Sequence, residues 1–144
     1  MTVSQILGSK GRNVITASSD QTVHAVSRML AENRIGAVVI VDSGGNIEGI
    51  ASERDIVRAV ATQGTAALAR PVREFMTTSV RTCEPQDTEA ELMSLMTEHR
   101  IRHIPVLQDG RLSGMVSIGD VVKFRIEAIE HEAEEMKTYI RSAG

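Results

Sequence analysis

The sequence predicts a mixed α/β (α+β) fold in which two β-α-β-β-α units pack with pseudo-two-fold symmetry and a long helix follows them. Three observations lead to this prediction. The 144 residues contain an internal repeat with a period of about 65 residues. Strand and helix patterns follow the same order in both halves. The end of the chain has a heptad-like apolar spacing that continues past the repeat.

The repeat is visible as identical residues at matched positions. These are Thr16 and Thr82, Thr22 and Thr88, Glu32 and Glu98, Arg34 and Arg100, Gly44 and Gly110, Gly49 and Gly114, Ser52 and Ser117, and Asp55 and Asp120. A unit of about 60 residues buries little surface when it stands alone. We therefore expect the two units to pack against each other.

The first half supplies the element order. Residues 1–13 are predicted to be a loop, because the stretch 8–13 is polar and contains two glycines. The elements expected next are a strand at 14–16, a helix that begins near Thr22 after the capping residues 18–20, a strand at 35–41 buried on both faces, a turn at 43–46, a strand at 47–51 and a helix from Ser52 through about Ala61. The same order is expected from Val80 onward.

A small, polar stretch closed by Pro71 separates the two halves and indicates a linker. The predicted division is a first repeat with its N-terminal segment at 1–64, a linker and entry segment at 65–78, a second repeat at 79–128 and a helical extension at 129–144.

An apolar stripe marks the last helix. Its positions, three or four residues apart, are Val122, Ile126, Ile129, Ala133, Met136 and Ile140. Such a stripe needs a partner surface, and the simplest partner is the same helix of a second subunit, so we expect a homodimer. The alternative is that the helix folds back on its own chain.

Composition excludes several classes of function. The net charge of −3 argues against binding nucleic acid, which needs a basic face. The single cysteine, Cys83, excludes an internal disulfide and a multi-thiolate metal site. No apolar run is long enough for a membrane span and no signal peptide is visible, so the cytoplasm is expected. His99 and His103 are four residues apart but leave a helix for a strand, so no metal site is expected.

Two corners carry the candidate chemistry. Each has the pattern Gly, two apolar residues, Ser, two further residues and Asp, with Ser52 and Asp55 in the first half and Ser117 and Asp120 in the second. A carboxylate in the first turn of a helix can accept hydrogen bonds from both hydroxyls of a ribose, while the helix N-terminus favours a nearby phosphate. The alternative is a capping box, in which Ser and Asp satisfy only the helix end.

These corners, the tandem repeat and the strand Arg102-His103-Ile104-Pro105-Val106 resemble a pair of cystathionine-β-synthase (CBS) domains over residues 13–128. The resemblance implies a ligand cleft at each corner, completed by the opposite repeat. The Asp120 cleft is then expected to contain Ser117, Met115, Arg102, His103, Ile104, Ile35, Gly36, Ala37, Lys10, Gly11, Arg12 and Asn13. The Asp55 cleft is expected to contain Ser52, Arg54, Ile50, Ile101 and the segment Thr77-Thr78-Ser79.

The resemblance also implies that Arg102 and His103 face ligand phosphates. Because Gly36 and Ala37 are their uncharged counterparts, the Asp120 cleft is expected to prefer phosphate, with pH dependence from His103 near neutrality. For His103 the alternative is a satisfied edge histidine. For the stretch 10–13 the alternative is a solvated basic turn.

The function expected from these observations is a non-catalytic sensor of adenosine nucleotides. AMP, ADP, ATP and NAD(H) all carry the adenosine group, which would act as a regulatory ligand and not as a catalytic cofactor, and the regulated partner is unidentified. Two alternatives are a dimerisation module without a ligand and an enzyme. The enzyme is disfavoured because the sequence contains no P-loop, nucleophile elbow, CxxC or HExxH motif.

Overall fold

The computed structural model describes residues 2–143, which form five helices and five strands with two short 3₁₀ helices. The first part contains α1 (Val3–Lys10), β1 (Thr16–Ala17), α2 (Val23–Asn33), β2 (Ala37–Val41), β3 (Ile47–Ser52) and α3 (Glu53–Gln63). The 3₁₀ helices Gly64–Ala69 and Val72–Glu74 follow. The second part contains α4 (Glu89–His99), β4 (His103–Gln108), β5 (Arg111–Ser117) and α5 (Ile118–Ala143).

Two small sheets carry the two repeats. In the first sheet β1 pairs in parallel with β2, and β2 pairs antiparallel with β3. The second sheet contains the antiparallel pair β4 and β5. The strand expected at 80–82 is absent from the described second sheet, where only a single parallel bridge joins Cys83 to Val106. The predicted element order is therefore confirmed in the first repeat and reduced by one strand in the second.

The N-terminal loop prediction was wrong for residues 3–10, which form α1. Thr2 and Gln5 make a capping box at its start, and Gly11 ends it with φ 101°. The apolar residues Val3, Ile6 and Leu7 are buried, and this burial stabilises the helix. The polar, glycine-containing end of the segment does not predict a helix by itself.

Each repeat has its own aliphatic core, and each core is completed by a segment that precedes the other repeat. Val3, Ile6 and Leu7 of α1 pack in the core of the second repeat. Val72, which lies in the predicted linker and entry segment, packs in the core of the first repeat. The predicted boundaries at 64 and 78 therefore do not separate the two cores, because each core includes a segment from the other side of a boundary.

The linker itself is ordered against the first repeat. Ala67 and Val72 are buried, and backbone hydrogen bonds join Val23 N–H to Arg70 O and Val72 N–H to Gln21 O. The segment is therefore part of the folded first repeat and is not a flexible linker. The expected cap at 18–20 is also replaced, because Thr22 caps α2 through Ala25 N–H.

The last helix is continuous from Ile118 to Ala143 and extends away from the repeats. Val121 is buried against the second core, whereas every residue from 129 to 143 is exposed. The alternative that this helix folds back on its own chain is therefore wrong. Within residues 2–143 no helix has the length and apolar character needed to cross a membrane.

Candidate functional site

The first corner lies between the end of β3 and the start of α3. Ser52 N–H donates to Asp55 Oδ2 at 2.9 Å, and Asp55 N–H donates to Ser52 Oγ at 3.4 Å. The Thr77 hydroxyl donates to Asp55 Oδ1 at 3.3 Å, and Asp55 is only 4% exposed. The capping box is therefore present. It does not exclude a ligand, because a carboxylate offers about four acceptor positions.

A cleft of about 210 Å³ opens beside Asp55. A trapped water molecule needs only about 10–15 Å³, so the cleft has room for a ligand group. The first repeat contributes Gly36, Ile50, Ser52, Glu53, Arg54, Asp55 and Arg58. The second repeat and its entry segment contribute Thr77, Ser79, Val80, Arg81, Arg100, Ile101, Arg102 and His103.

The charge of this cleft is strongly positive. Its arginines are Arg54, Arg58, Arg81, Arg100 and Arg102, and its carboxylates are Glu53 and Asp55. One of the five cations, Arg58, lies 3.7 Å from Asp55 Oδ1. Guanidinium groups bind phosphate oxygens in a planar, two-pronged geometry, so the surplus of cations favours an anionic ligand.

The second corner has the same capping geometry but a different occupant. Ser117 N–H donates to Asp120 Oδ2 at 2.8 Å, and Asp120 N–H donates to Ser117 Oγ at 3.2 Å. Lys10 Nζ lies 2.5 Å from the same Oδ2 atom and donates to Met115 O at 2.6 Å. Burial opposes ionisation of Asp120, but hydrogen bonds from Lys10 and Ser117 outweigh it, so the pKa of Asp120 lies below its ordinary value.

The structure brings most of the residues expected at the Asp55 cleft together. Ser52, Arg54, Ile50 and Ile101 line it. Thr77 and Ser79 also line it, whereas Thr78 lines a separate groove with Gly45 and Leu107.

Several residues expected at Asp120 also line the Asp55 cleft. These are Gly36, Arg102 and His103, so positive charge gathers in that cleft. His103 pairs with Ser117 in the β4–β5 ladder and therefore also lies beside the second corner. Ala37 and Ile104 are 2% and 0% exposed in β2 and β4 and belong to the strands' buried faces. The other members of that set that stay near the second corner are Ser117, Met115 and Lys10.

The basic stretch after α1 is tied to the protein surface. Arg12 Nη1 donates to Gln108 Oε1 and to Ser113 Oγ, both at 3.1 Å. These contacts place Arg12 on the β4–β5 hairpin. Gly11 serves as the end of α1, and Asn13 is exposed.

His103 lies where the two repeats approach each other. A Cβ atom added to Gly36 would be 3.1 Å from the His103 ring, so a side chain at this position would crowd the ring. Burial, and then the positive charge of Lys10, lower the pKa of His103 despite the opposing charges of Asp120 and Glu53. The pKa of His103 therefore lies below its ordinary value, which favours the neutral imidazole.

Sequence reasoning missed three arginines of the cleft. Arg58 lies one helical turn after Asp55, and Arg100 ends α4 in the left-handed conformation with φ 53°. Arg81 lies at the start of the second repeat, in a segment without regular secondary structure. One signal in the sequence marked Arg100, namely its identity with Arg34 at the matched position of the repeat. Both residues end a helix, so the identity is explained by the helix end and does not by itself indicate a ligand contact.

Among residues 2–143 no group of three or more His, Cys, Asp or Glu side chains is placed to hold a metal ion.

Comparison with known proteins supports this architecture. The CBS domain family model matches residues 3–62 and 72–127. A CBS-domain containing protein from Agrobacterium tumefaciens is 45% identical with a TM-score of 0.85, covering 87% of this chain and 99% of that one.

Two further solved structures contain ligands. A CBS domain protein from Pyrobaculum aerophilum complexed with AMP is 29% identical with a TM-score of 0.75, covering 83% of this chain and 89% of that one. A CBS domain pair in complex with 5-methylthioadenosine and S-adenosyl-L-methionine is 26% identical with a TM-score of 0.80, covering 89% of this chain and 98% of that one. CBS pair proteins are regulatory, and these relatives bind adenosine compounds. The two family-model matches and the two structural repeats together show that this chain belongs to the family of CBS-domain pair proteins.

Proposed function

We propose that the chain is a non-catalytic regulatory module that binds an adenosine nucleotide in the cleft beside Asp55. The observation that carries the proposal is the joint presence of the Ser52–Asp55 corner and five arginines in one cleft between the repeats. The relatives that bind AMP, methylthioadenosine and S-adenosylmethionine support the adenosine part.

Each part of a nucleotide has a matching surface in the cleft. Asp55 Oδ1 accepts the ribose hydroxyls in exchange for its contacts with Thr77 and Arg58. Ile50 and Ile101 offer apolar surface to the adenine. The arginines bind the phosphates through charge-assisted hydrogen bonds.

The charge of the cleft distinguishes between adenosine compounds. AMP, ADP, ATP and NAD(H) carry phosphate and methylthioadenosine carries none. S-adenosylmethionine carries a sulfonium, an ammonium and a single carboxylate, so its net charge is positive. The arginine surplus therefore favours the phosphate-bearing compounds.

Calorimetric titration tests this preference. AMP should bind more tightly than adenosine, and added salt should weaken AMP binding. Arg102→Ala should weaken AMP binding about tenfold or more and leave adenosine unchanged, since a hydrogen bond to a charged group contributes about 1.5–3 kcal/mol. Arg111→Ala, which changes an exposed arginine outside this cleft, is the matched control. Equal affinities for AMP and adenosine would contradict the proposal.

The ribose contact has a separate test that leaves the protein unchanged. The 2′-deoxy form of AMP lacks one of the two hydroxyls that Asp55 would accept. Its affinity should be lower by about tenfold or more. Equal affinity would remove Asp55 from the ribose site. ATP incubated with the protein should stay intact, and turnover would favour the enzyme alternative.

A homodimer through α5 is a second proposal. Its observation is the exposed apolar stripe, in which Ile126 is 50% exposed, Ile129 57%, Met136 63% and Ile140 64%. Sedimentation should show a dimer for the wild type. Changing Ile129 and Met136 together to Asp should give a monomer with unchanged helical circular dichroism, because charge in the seam would be buried on pairing. A dimeric double variant would place the interface elsewhere.

A further inference from the structure

The two matched corners are closed by different groups. At the first corner the backbone of Thr77 pairs with Ile50 in both directions, at 2.8 and 2.9 Å, and its hydroxyl contacts Asp55 at 3.3 Å. At the second corner a single ammonium replaces this arrangement. Lys10 Nζ contacts both Met115 O, which matches Ile50, and Asp120, which matches Asp55.

The backbone of Lys10 is held firmly, while its side chain can leave. Leu7 and Ile6 anchor α1 in the second core, and Val3 N–H and Ser4 N–H donate to Asp87 O and Pro85 O at 2.8 and 2.9 Å. The Lys10 side chain is 35% exposed and reaches the corner through four rotatable methylenes. The ammonium can therefore leave the second corner by a rotamer change, without movement of α1.

We propose that Lys10 is a specificity-determining residue that competes with nucleotides for the second corner, so that the Asp55 cleft fills first. This inference rests on the proposed function. The donors of a nucleoside are its ribose hydroxyls and its exocyclic amino group. At the second corner these groups would donate to Asp120 Oδ2 and Met115 O, the two oxygens to which the Lys10 ammonium already donates.

The distances of the occupying groups explain the inequality of the two corners. At Asp55 the carboxylate is met by the Thr77 hydroxyl at 3.3 Å and by the Arg58 guanidinium at 3.7 Å, whereas at Asp120 it is met by the Lys10 ammonium at 2.5 Å. Both contacts to Asp55 are longer than strong hydrogen bonds of their kind, whereas the Lys10 ammonium makes a short, charge-assisted hydrogen bond. A nucleotide therefore enters the first corner against weaker competition than the second.

Calorimetric titration with AMP tests the competition. Wild type should bind one AMP per chain with high affinity, and Arg102→Ala should weaken that step. Lys10→Met should add a second step, about tenfold or more tighter than any second step of the wild type. Adding Asp120→Ala to Lys10→Met should abolish it. Lys10→Arg keeps the cation and should behave like the wild type.

The possible outcomes separate the two proposals. If Lys10→Met weakens AMP binding, or if the wild type fills two equal sites, Lys10 is a phosphate ligand or a bystander and the inference is overturned. It is also overturned if Lys10→Met still binds a single AMP. If the wild type binds no AMP but Lys10→Met binds one that depends on Asp120, the competition is supported and the Asp55 proposal fails. Unchanged circular dichroism of Lys10→Met shows that loss of the ion pair has not unfolded α1.

Discussion

The contact between α1 and β5 gives a quantitative test of the fold. Leu7 is fully buried, and a Cβ atom placed on Gly114 would lie 2.8 Å from Leu7 Cδ2 and 3.1 Å from Cδ1. Gly114→Ala should therefore overpack this site and lower the free energy of unfolding by about 1–3 kcal/mol. Leu7→Ala should lower it by about 2–5 kcal/mol through a cavity.

The double variant should be less damaged than the sum of the two single changes. In a protein with Ala at position 7 the clashing methyl groups are gone, and the new methyl at position 114 fills part of the cavity. We expect a favourable coupling free energy of about 1 kcal/mol or more between these contacting sites. Urea unfolding of the four proteins, with a check that the m-values agree, measures this coupling.

A matched control lies one residue away in the same helix. A Cβ atom at Gly8 meets nothing within 4 Å. Gly8→Ala should therefore stabilise the protein by about 0.5–1 kcal/mol, as expected for a helix interior. If Leu7→Ala and Gly114→Ala instead prove additive, α1 does not pack on β5 as described, and the basis for holding Lys10 at the second corner is lost.

Three further predictions concern single sites. Gly49→Ala would put a Cβ atom 2.8 Å from the backbone oxygen of Thr77, so it should lower the free energy of unfolding in urea by about 1–3 kcal/mol, and Leu7→Ala should not rescue it. Burial lowers the pKa of His103, so the unfolded chain binds a proton more readily. The free energy of unfolding should then fall as the pH drops below 6.5, and His103→Asn should reduce this slope. An unchanged slope would remove His103 as the cause. Burial first, and then nearby carboxylates, raise the pKa of the Cys83 thiol to about 12, so it should react with a thiol reagent at pH 8 only at the rate of unfolding. Rapid reaction in the native protein would show that Cys83 is accessible.

The sequence was informative where a pattern repeats and where burial follows periodicity. Asp55 and Asp120 lie at matched helix starts, as expected, and β2 is buried on both faces. α1 was missed because its three buried residues are covered by a repeat that lies more than 70 residues away in the chain, which no local pattern can report.

The arrangement of charge could not be predicted from matched positions alone. The comparison of Arg102 with Gly36 suggested unequal clefts, but the side to which Arg102 points depends on how the two sheets meet. Arg102 lines the Asp55 cleft together with Arg81, which lies in an irregular segment. Lys10 was expected in the Asp120 cleft as a partner of phosphate, but its ammonium contacts the Asp120 carboxylate itself.

The exchange of segments between the two cores has a consequence for the order of folding. During synthesis α1 leaves the ribosome before the rest of the second core has been made. Its apolar residues therefore have no packing partner until roughly a hundred further residues have been added. The first core likewise stays incomplete until Val72 has emerged. We therefore expect the last step of folding to be the closure of a loop that encloses the whole first repeat. Closure of so long a loop is slow, but each doubling of loop length adds little to its free-energy cost. Because each half holds a segment that the other half needs, we expect the chain to unfold in one cooperative transition and neither half to fold when expressed alone.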